Sequence, residues 1–335
     1  MSTIKRSVSM YSLQDEYLHG RMTLPDIIKF LDEMGTEGIE LISDQMLHNA
    51  PHVSDADIAA WDALMQQHKV RPICNDIFIN TCLYKNRTLT TRESTALLID
   101  ELKLANRLGF HLVRLVSMTP PEIIEPALPY AEKYDVTMAL EIHAGMSFSH
   151  PMTQAFVEVM RKLNSPYVGI VVDTGIFCRR HPRVSTNYFK TLGANQELIN
   201  YIDAIFASGI DVKQFLREHN GKRPDEWQKL IKNEADEIYS IFADGYENSK
   251  LSILDEYMPF IKHFHGKIYE MTEAGEEYSI PYAEIVQYLS KKGYDGFIST
   301  EYEGNRFTLP GKPMMEKEQV RLHQICLKKC IESVQ

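Results

Sequence analysis

The feature that most constrains this chain is an alternation of short β-rich runs with amphipathic helical stretches, repeated from one end of the sequence to the other. That order calls for parallel strands joined by helical crossovers. The β-rich runs fall at 6–13, 38–43, 71–80, 111–117, 136–144, 168–177, 260–269 and 297–303. Between them, Thr23 with Asp26 forms a capping box before an apolar stripe at Ile27, Leu31 and Met34, which stops at Gly35. Residues 55–68 follow as a helix, and Thr90 with Glu93 caps the next, whose stripe of Leu98, Leu102 and Ala105 ends at Gly109. Ile123, Ile124, Leu128 and Ala131 mark another helix, and 155–163, 285–292 and 318–333 complete the set. Eight strands with helices between them predict a single (β/α)8 TIM barrel over 1–335. The spacing between the sixth and seventh strands is abnormal. Residues 178–258 form an insertion with helical signals at 197–207, 212–219 and 225–242, which reads as a lid or a partner surface. An open doubly wound sheet is the alternative. Its nucleotide-binding version would carry a glycine-rich turn after the first strand, where this chain reads Ser12-Leu13-Gln14-Asp15-Glu16.

In a barrel, alternate strand residues point inward and the C-terminal strand ends form the active face. In the fifth strand Val136, Met138, Leu140 and Ile142 suit the helix layer, so Thr137, Ala139, Glu141 and His143 point in. The same alternation turns Gly169, Val171 and Asp173 inward from the sixth strand. It does so for His263, His265 and Lys267 from the seventh, and for Ser299, Glu301 and Glu303 from the eighth. Four consecutive strands thus each deliver a metal-capable group at one end: Glu141, Asp173, His265 and Glu301. Three carboxylates and one imidazole suit Mn²⁺, Mg²⁺ or Co²⁺, with Zn²⁺ less favoured. His263 reads either as a buried, hydrogen-bonded residue or as a substrate contact. Lys267 reads either as a group that steadies a substrate oxygen or as an ion-pair partner of Glu270 or Glu303. Phe148, Phe177, Tyr269 and Tyr302 lie near the mouth as ring-packing candidates or as rim packing, and alternation turns Tyr302 outward.

Composition narrows the function classes. A net charge of −10 disfavours nucleic acid as a partner, because phosphate recognition needs a concentrated basic face. The one local basic cluster, Arg179, Arg180 and Arg183 around His181, reads as a solvated loop. Five cysteines in a chain of this size do not read as a disulfide framework and are expected to be reduced thiols. Residues 1–10 lack an apolar core for a signal peptide, and no long apolar window is present, so a cytoplasmic location away from membranes is expected.

The segments Leu140-Glu141-Ile142-His143, Val172-Asp173-Thr174-Gly175, His263-Phe264-His265-Gly266-Lys267 and Ser299-Thr300-Glu301-Tyr302-Glu303-Gly304 resemble the xylose isomerase-like barrel superfamily. That superfamily includes sugar isomerases, ketose 3-epimerases and inosose dehydratases. Within it the chain is most similar to the alpha subunits of bacterial C-glycoside deglycosidases. The features are Glu141-x-His143, Asp173-Thr-Gly-Ile-Phe177 followed by a basic segment, and His265-Gly-Lys267-x-Tyr269-Glu270. The resemblance implies a Mn²⁺-type centre, His143 as acid/base and a small β-rich beta subunit. The chain departs from the ketose 3-epimerase pattern at Ile176, where those enzymes carry a histidine, and at Met271, where they carry an arginine.

The expected chemistry is proton abstraction beside a ketone, with Glu141, His143, Lys267 and Glu301 as the catalytic set. Phe148, Phe177, His263, Tyr269 and Glu303 are expected to contact a carbohydrate or aryl C-glycoside. Elimination of the C-linked group of a 3-oxo-C-glucoside is the first reading. A sugar isomerase, epimerase or inosose dehydratase-like lyase is the second. An endonuclease of the same fold and a non-catalytic accessory barrel are the remaining alternatives.

Overall fold

In the computed structural model, which describes residues 4–335, eight parallel strands close into a barrel in sequence order. They are β1 (Lys5–Ser9), β2 (Gly38–Ile42), β3 (Arg71–Ile77), β4 (Leu112–Leu115), β5 (Thr137–Ile142), β6 (Val168–Asp173), β7 (Ile261–Ile268) and β8 (Phe297–Tyr302). The expected barrel is therefore present. β8 returns to pair with β1, in a register that sets Ser7 opposite Ser299.

Both expected capping boxes form. Thr23 accepts from the Asp26 N–H ahead of helix Leu24–Glu33, and Thr90 accepts from the Glu93 N–H ahead of helix Thr91–Arg107. Each satisfies N–H groups that a helix start would otherwise leave open. The apolar stripes Ile27, Ile28, Leu31 and Leu98, Leu102, Ala105 are fully buried, as are the strand residues Ile39, Leu41, Met138, Ile142, Ile170 and Val172. This layer between sheet and helices is the main apolar core. The barrel interior is polar instead. Ser7 Oγ lies 2.7 Å from Ser299 Oγ, and Glu40, Asp76, Arg114, His263 and His265 are all buried.

Several boundaries differ from the sequence reading, mostly at the active rim. β1 ends at Ser9 rather than at 13, because Met10–Leu13 tightens into a 3₁₀ turn. β6 ends at Asp173, whose carboxylate accepts the Gly175 N–H at 2.7 Å and starts the turn Thr174–Ile176. Past the rim a strand has no neighbour to pair with, so side-chain and turn bonds take over.

Between β6 and β7 the structure contains helices Arg183–Thr191, Gln196–Ala207, Val212–Glu218, Asp225–Leu230 and Glu234–Ala243. Two readings of this region are corrected. The stretch 225–242 is two helices, because Asn233 caps the second and the Asp236 carboxylate binds the N–H groups of Lys232 and Asn233. The basic segment is a solvated loop only at Arg179 and Arg180, which are exposed. His181 is buried among the rings of Phe206, Tyr239 and Tyr246, and Arg183 starts a helix and holds Glu270 at 2.6 Å. The five cysteines are all free. Among the described residues no helix is long and apolar enough to cross a membrane.

Gly304 follows β8 at the rim, and a Cβ there would lie 2.0 Å from the Tyr269 carbonyl oxygen. That neighbour is backbone and cannot rotate away. Gly304→Ala is therefore expected to lower stability by about 1–3 kcal/mol, as overpacking does. Urea unfolding of the two proteins measures it, and an unchanged midpoint would contradict the contact.

Candidate active site

The parallel register of β6, β7 and β8 aligns Asp173 with His265, His265 with Ser299, and Lys267 with Glu301. With Glu141 from β5, these strand ends bring four buried groups together. Ligand atoms of Glu141, Asp173, His265 and Glu301 all lie within 4.8 Å of one another. The inward alternation read from the sequence accounts for this convergence.

His265 sits at the floor of the cluster. Its Nε2 lies 2.6 Å from Glu40 Oε1, and its Nδ1 faces Glu141 Oε1 at 2.8 Å and Glu301 Oε2 at 3.3 Å. Burial opposes a charge on this ring, but Glu40, Glu301 and Glu141 override it and hold its pKa well above the usual imidazole value. Arg114, from β4, bonds Asp76 at 2.8 Å and Glu141 at 3.3 Å. Lys267 Nζ lies 3.0 Å from Asp173, 2.6 Å from Glu301 and 3.0 Å from Glu303. Of the two ion-pair partners expected for Lys267, Glu303 is present, and Glu270 is taken by Arg183. Burial pushes Asp173 up to about 6 despite Lys267. Burial also works against ionised Glu141, yet Arg114 and His265 bring it down to about 2.

This donor set fits a divalent cation. Glu40, Asp76, Glu141, Asp173, Glu301 and Glu303 are six carboxyl groups facing three permanent cations, Arg114, Lys267 and Arg306. Buried carboxylates that lack a counter-charge cost several kcal/mol each. A proton on His265 Nδ1 relieves part of that excess, and a divalent ion on the same lone pair and the three carboxylates would relieve more. Glu40, Asp76 and Arg114 were absent from the sequence reading. A signal existed for two of them: Glu40 and Arg114 are lone ionisable residues inside apolar runs, Ile39-Glu40-Leu41 and Val113-Arg114-Leu115.

A cavity of about 500 Å³ opens above the cluster. Its polar lining includes Glu141, Asp173, Glu301, Lys267, Arg114 and His143, and its apolar lining includes Phe78, Ile241, Phe242 and Phe307. His143 Nδ1 lies 2.6 Å from the Ala144 carbonyl, and its Nε2 lies 2.6 Å from Ser117 Oγ. A carbonyl only accepts, so the proton is on Nδ1, and Nε2 carries the lone pair that Ser117 donates to. The insertion grips the same loop. Lys213 Nζ donates to the Gly145 carbonyl at 2.6 Å, and Glu247 accepts the Gly145 N–H at 3.0 Å.

Of the expected substrate contacts, Tyr269 and Glu303 line the cavity. Phe148, Phe177 and His263 do not. Phe148 stacks on Tyr257 at 4.2 Å, Phe177 is fully buried, and His263 lies in the barrel interior on Glu40 and Ser299. Strand alternation does not extend into the loops that carry Phe148 and Phe177, and packing decides their direction there. Besides Tyr269, the aromatic lining comes from Tyr11, Phe78, Phe242, Tyr246 and Phe307.

The family model described as "Xylose isomerase-like TIM barrel" matches residues 28–325. Among curated proteins, the chain is 27% identical over 304 residues to a 3'-dehydrocarminate deglycosidase alpha subunit of a Microbacterium species, covering 89% of this chain and 87% of that protein. It is also 27% identical over 315 residues to a C-glycoside deglycosidase alpha subunit of Arthrobacter globiformis, covering 91% and 85%. A D-psicose 3-epimerase structure from Clostridium cellulolyticum with D-tagatose superposes with a TM-score of 0.58 at 13% identity, covering 98% of this chain and 99% of that one. The IolI protein with a bound zinc atom superposes at 0.53 and 13% identity, covering 99% and 98%. At these identities the structural likeness speaks for the fold.

Mn²⁺ at 100 times its dissociation constant is expected to stabilise the metal-free protein by about 2.7 kcal/mol. Asp173→Asn should abolish most of that gain. Thermal unfolding with and without the ion measures both, and equal gains in the two proteins would count against Asp173 as a ligand.

Proposed function

The chain belongs to the xylose isomerase-like TIM barrel family, and from that premise we propose that it is the metal-dependent large subunit of a C-glycoside deglycosidase. The observation that carries this reading is one cavity that joins an acidic cation centre, a histidine of defined tautomer and an apolar wall. The deglycosidase alpha subunits that it resembles over about nine-tenths of its length support the same assignment.

The reaction is elimination from a 3-oxo-C-glucoside. The C2 proton lies next to the ketone and is acidic, and the C1 aglycone is β to the carbonyl. Glu141, Asp173, His265 and Glu301 would hold the cation, Mn²⁺ in this reading. When bound, such an ion supplies Lewis acidity that disperses charge developing on the ketone oxygen. His143 Nε2 removes the C2 proton after exchanging its Ser117 bond for the substrate. The C2–H electron pair becomes the C1–C2 double bond, the C1–aryl bond breaks, and its pair stays on the aryl carbon. His143 then returns the proton to that carbon, so no co-reactant is consumed. The carbonyl of Ala144 steadies the imidazolium throughout. Lys267 and Glu303 border the sugar side, with Lys267 available to a substrate oxygen.

The aglycone ring packs on Phe78, Ile241, Phe242 and Phe307. Ile241 is 62% exposed and Phe242 46%, an unusual degree of exposure for large apolar side chains beside a charged pocket. Epimerisation of a free ketose has less support. Ile176 is fully buried in the core and Met271 is buried, so neither position offers the polar group found in the 3-epimerase pattern. The partner in this reading is a small β-rich subunit, consistent with relatives named as alpha subunits. Residues 178–258 are the surface assigned to a lid or to partner contacts.

The assay is release of aglycone from a 3-oxo-C-glucoside, run beside ketose interconversion, with a candidate small β-rich subunit co-expressed. Aglycone release without ketose turnover is expected. His143→Ala should lower kcat by about 100- to 10,000-fold, and near-normal turnover would remove His143 from the mechanism. Phe242→Ala should raise KM about tenfold with a much smaller change in kcat. An unchanged KM would count against the apolar wall as the aglycone site.

A further inference from the structure

Glu40 projects from β2 into the barrel interior, on the far side of β1 and β8 from the strand that bears His265. It is fully buried, and its two carboxylate oxygens are each engaged by a histidine. Oε1 lies 2.6 Å from His265 Nε2, and Oε2 lies 2.9 Å from His263 Nε2. His263 is tied in turn to Ser299 at 3.0 Å, and Ser299 to Ser7 at 2.7 Å. The carboxylate is thus anchored from both sides and has little freedom to follow the His265 ring if the ring turns.

We infer that Glu40 is the positioning residue that fixes the tautomer and orientation of His265, and through it the affinity of the cation centre. The inference rests on reading Glu141, Asp173, His265 and Glu301 as that centre. An ionised carboxylate can only accept, so the bond at 2.6 Å places a hydrogen on His265 Nε2. When an ion takes the place of the proton on Nδ1, the ring keeps its Nε2 hydrogen and offers the Nδ1 lone pair, which faces Glu141 and Glu301. Without Glu40 a second tautomer becomes competitive. With its hydrogen on Nδ1, the ring would donate to Glu141 Oε1, already 2.8 Å away. That state ties up one ligand with another and leaves neither free for an ion. Carboxylate partners of ligating histidines elsewhere act this way, and their loss weakens metal binding roughly 10- to 100-fold. Glu40 also lies within ligand distance of His263 and His265 as a group, but an ion held there would require both Nε2 atoms to be bare.

The test is calorimetric titration of Mn²⁺ into the metal-free full chain and into Glu40→Gln and Glu40→Ala, with circular dichroism and thermal unfolding as fold controls. The wild type should bind one ion. Glu40→Gln should bind it roughly 10- to 100-fold more weakly with its fold intact. Glu40→Gln with wild-type affinity would overturn the inference while leaving the four-residue centre standing. A wild type that binds no Mn²⁺ would overturn the centre and the inference together. Two ions per chain, with the second lost in Glu40→Ala, would replace the positioning role with a second site. If the variants fail to fold, imidazole ¹⁵N spectra of the wild type loaded with Zn²⁺ decide it. A protonated Nε2 on His265 supports the inference, and a protonated Nδ1 overturns it.

Discussion

Negative charge confined at the barrel mouth is the constraint on which the rest of this structure depends. Glu141, Asp173 and Glu301 converge within ligand distance of one another, and Glu40 and Asp76 lie in the same closed interior. In water these groups would separate. Here the hydrogen-bonded ring of strands and the packed layer outside it hold them together. Arg114 and Lys267 offset part of the repulsion, and the protonation of His265 and the raised pKa of Asp173 offset more. Such a site is tuned to take up positive charge, and that connects the fold to its chemistry.

Much of this was legible in the sequence because two periodicities do most of the work. Capping boxes at Thr23 and Thr90 and the apolar stripes behind them marked the helices, and period-two alternation on the last four strands set Glu141, Asp173, His265 and Glu301 on one face. Alternation is a local rule, however, and it failed where contacts are long-range. Glu40 finds its partners more than 220 residues away, on β7, and nothing near Glu40 in the chain announces them. The same limit explains Phe148 and Phe177, which sit past the strand ends, where packing against Tyr257 and the core replaces the pleat as the determinant of direction. His181 looked solvent-exposed because arginines flank it, yet rings from two helices of the insertion, Phe206 and Tyr239, enclose it.

The excursion between β6 and β7 connects to the site at two points. Lys213 and Glu247 bracket the peptide of Gly145, two residues beyond His143, so the loop bearing that imidazole is held from outside the barrel. Ile241 and Phe242 belong to a neighbouring helix of the same excursion and line the cavity wall. A barrel alone supplies the charged floor. The excursion adds exposed apolar side chains and a support for the loop that bears His143, an arrangement that suits the proposed substrate, with its one polar and one aromatic half.

The most direct measurement is a crystal structure of the protein soaked with Mn²⁺, with anomalous data collected on both sides of the manganese edge. The account predicts one strong peak, bonded to Glu141, Asp173, His265 Nδ1 and Glu301. Absence of a peak there, or an ion bound elsewhere while these side chains keep to their own hydrogen bonds, would contradict it.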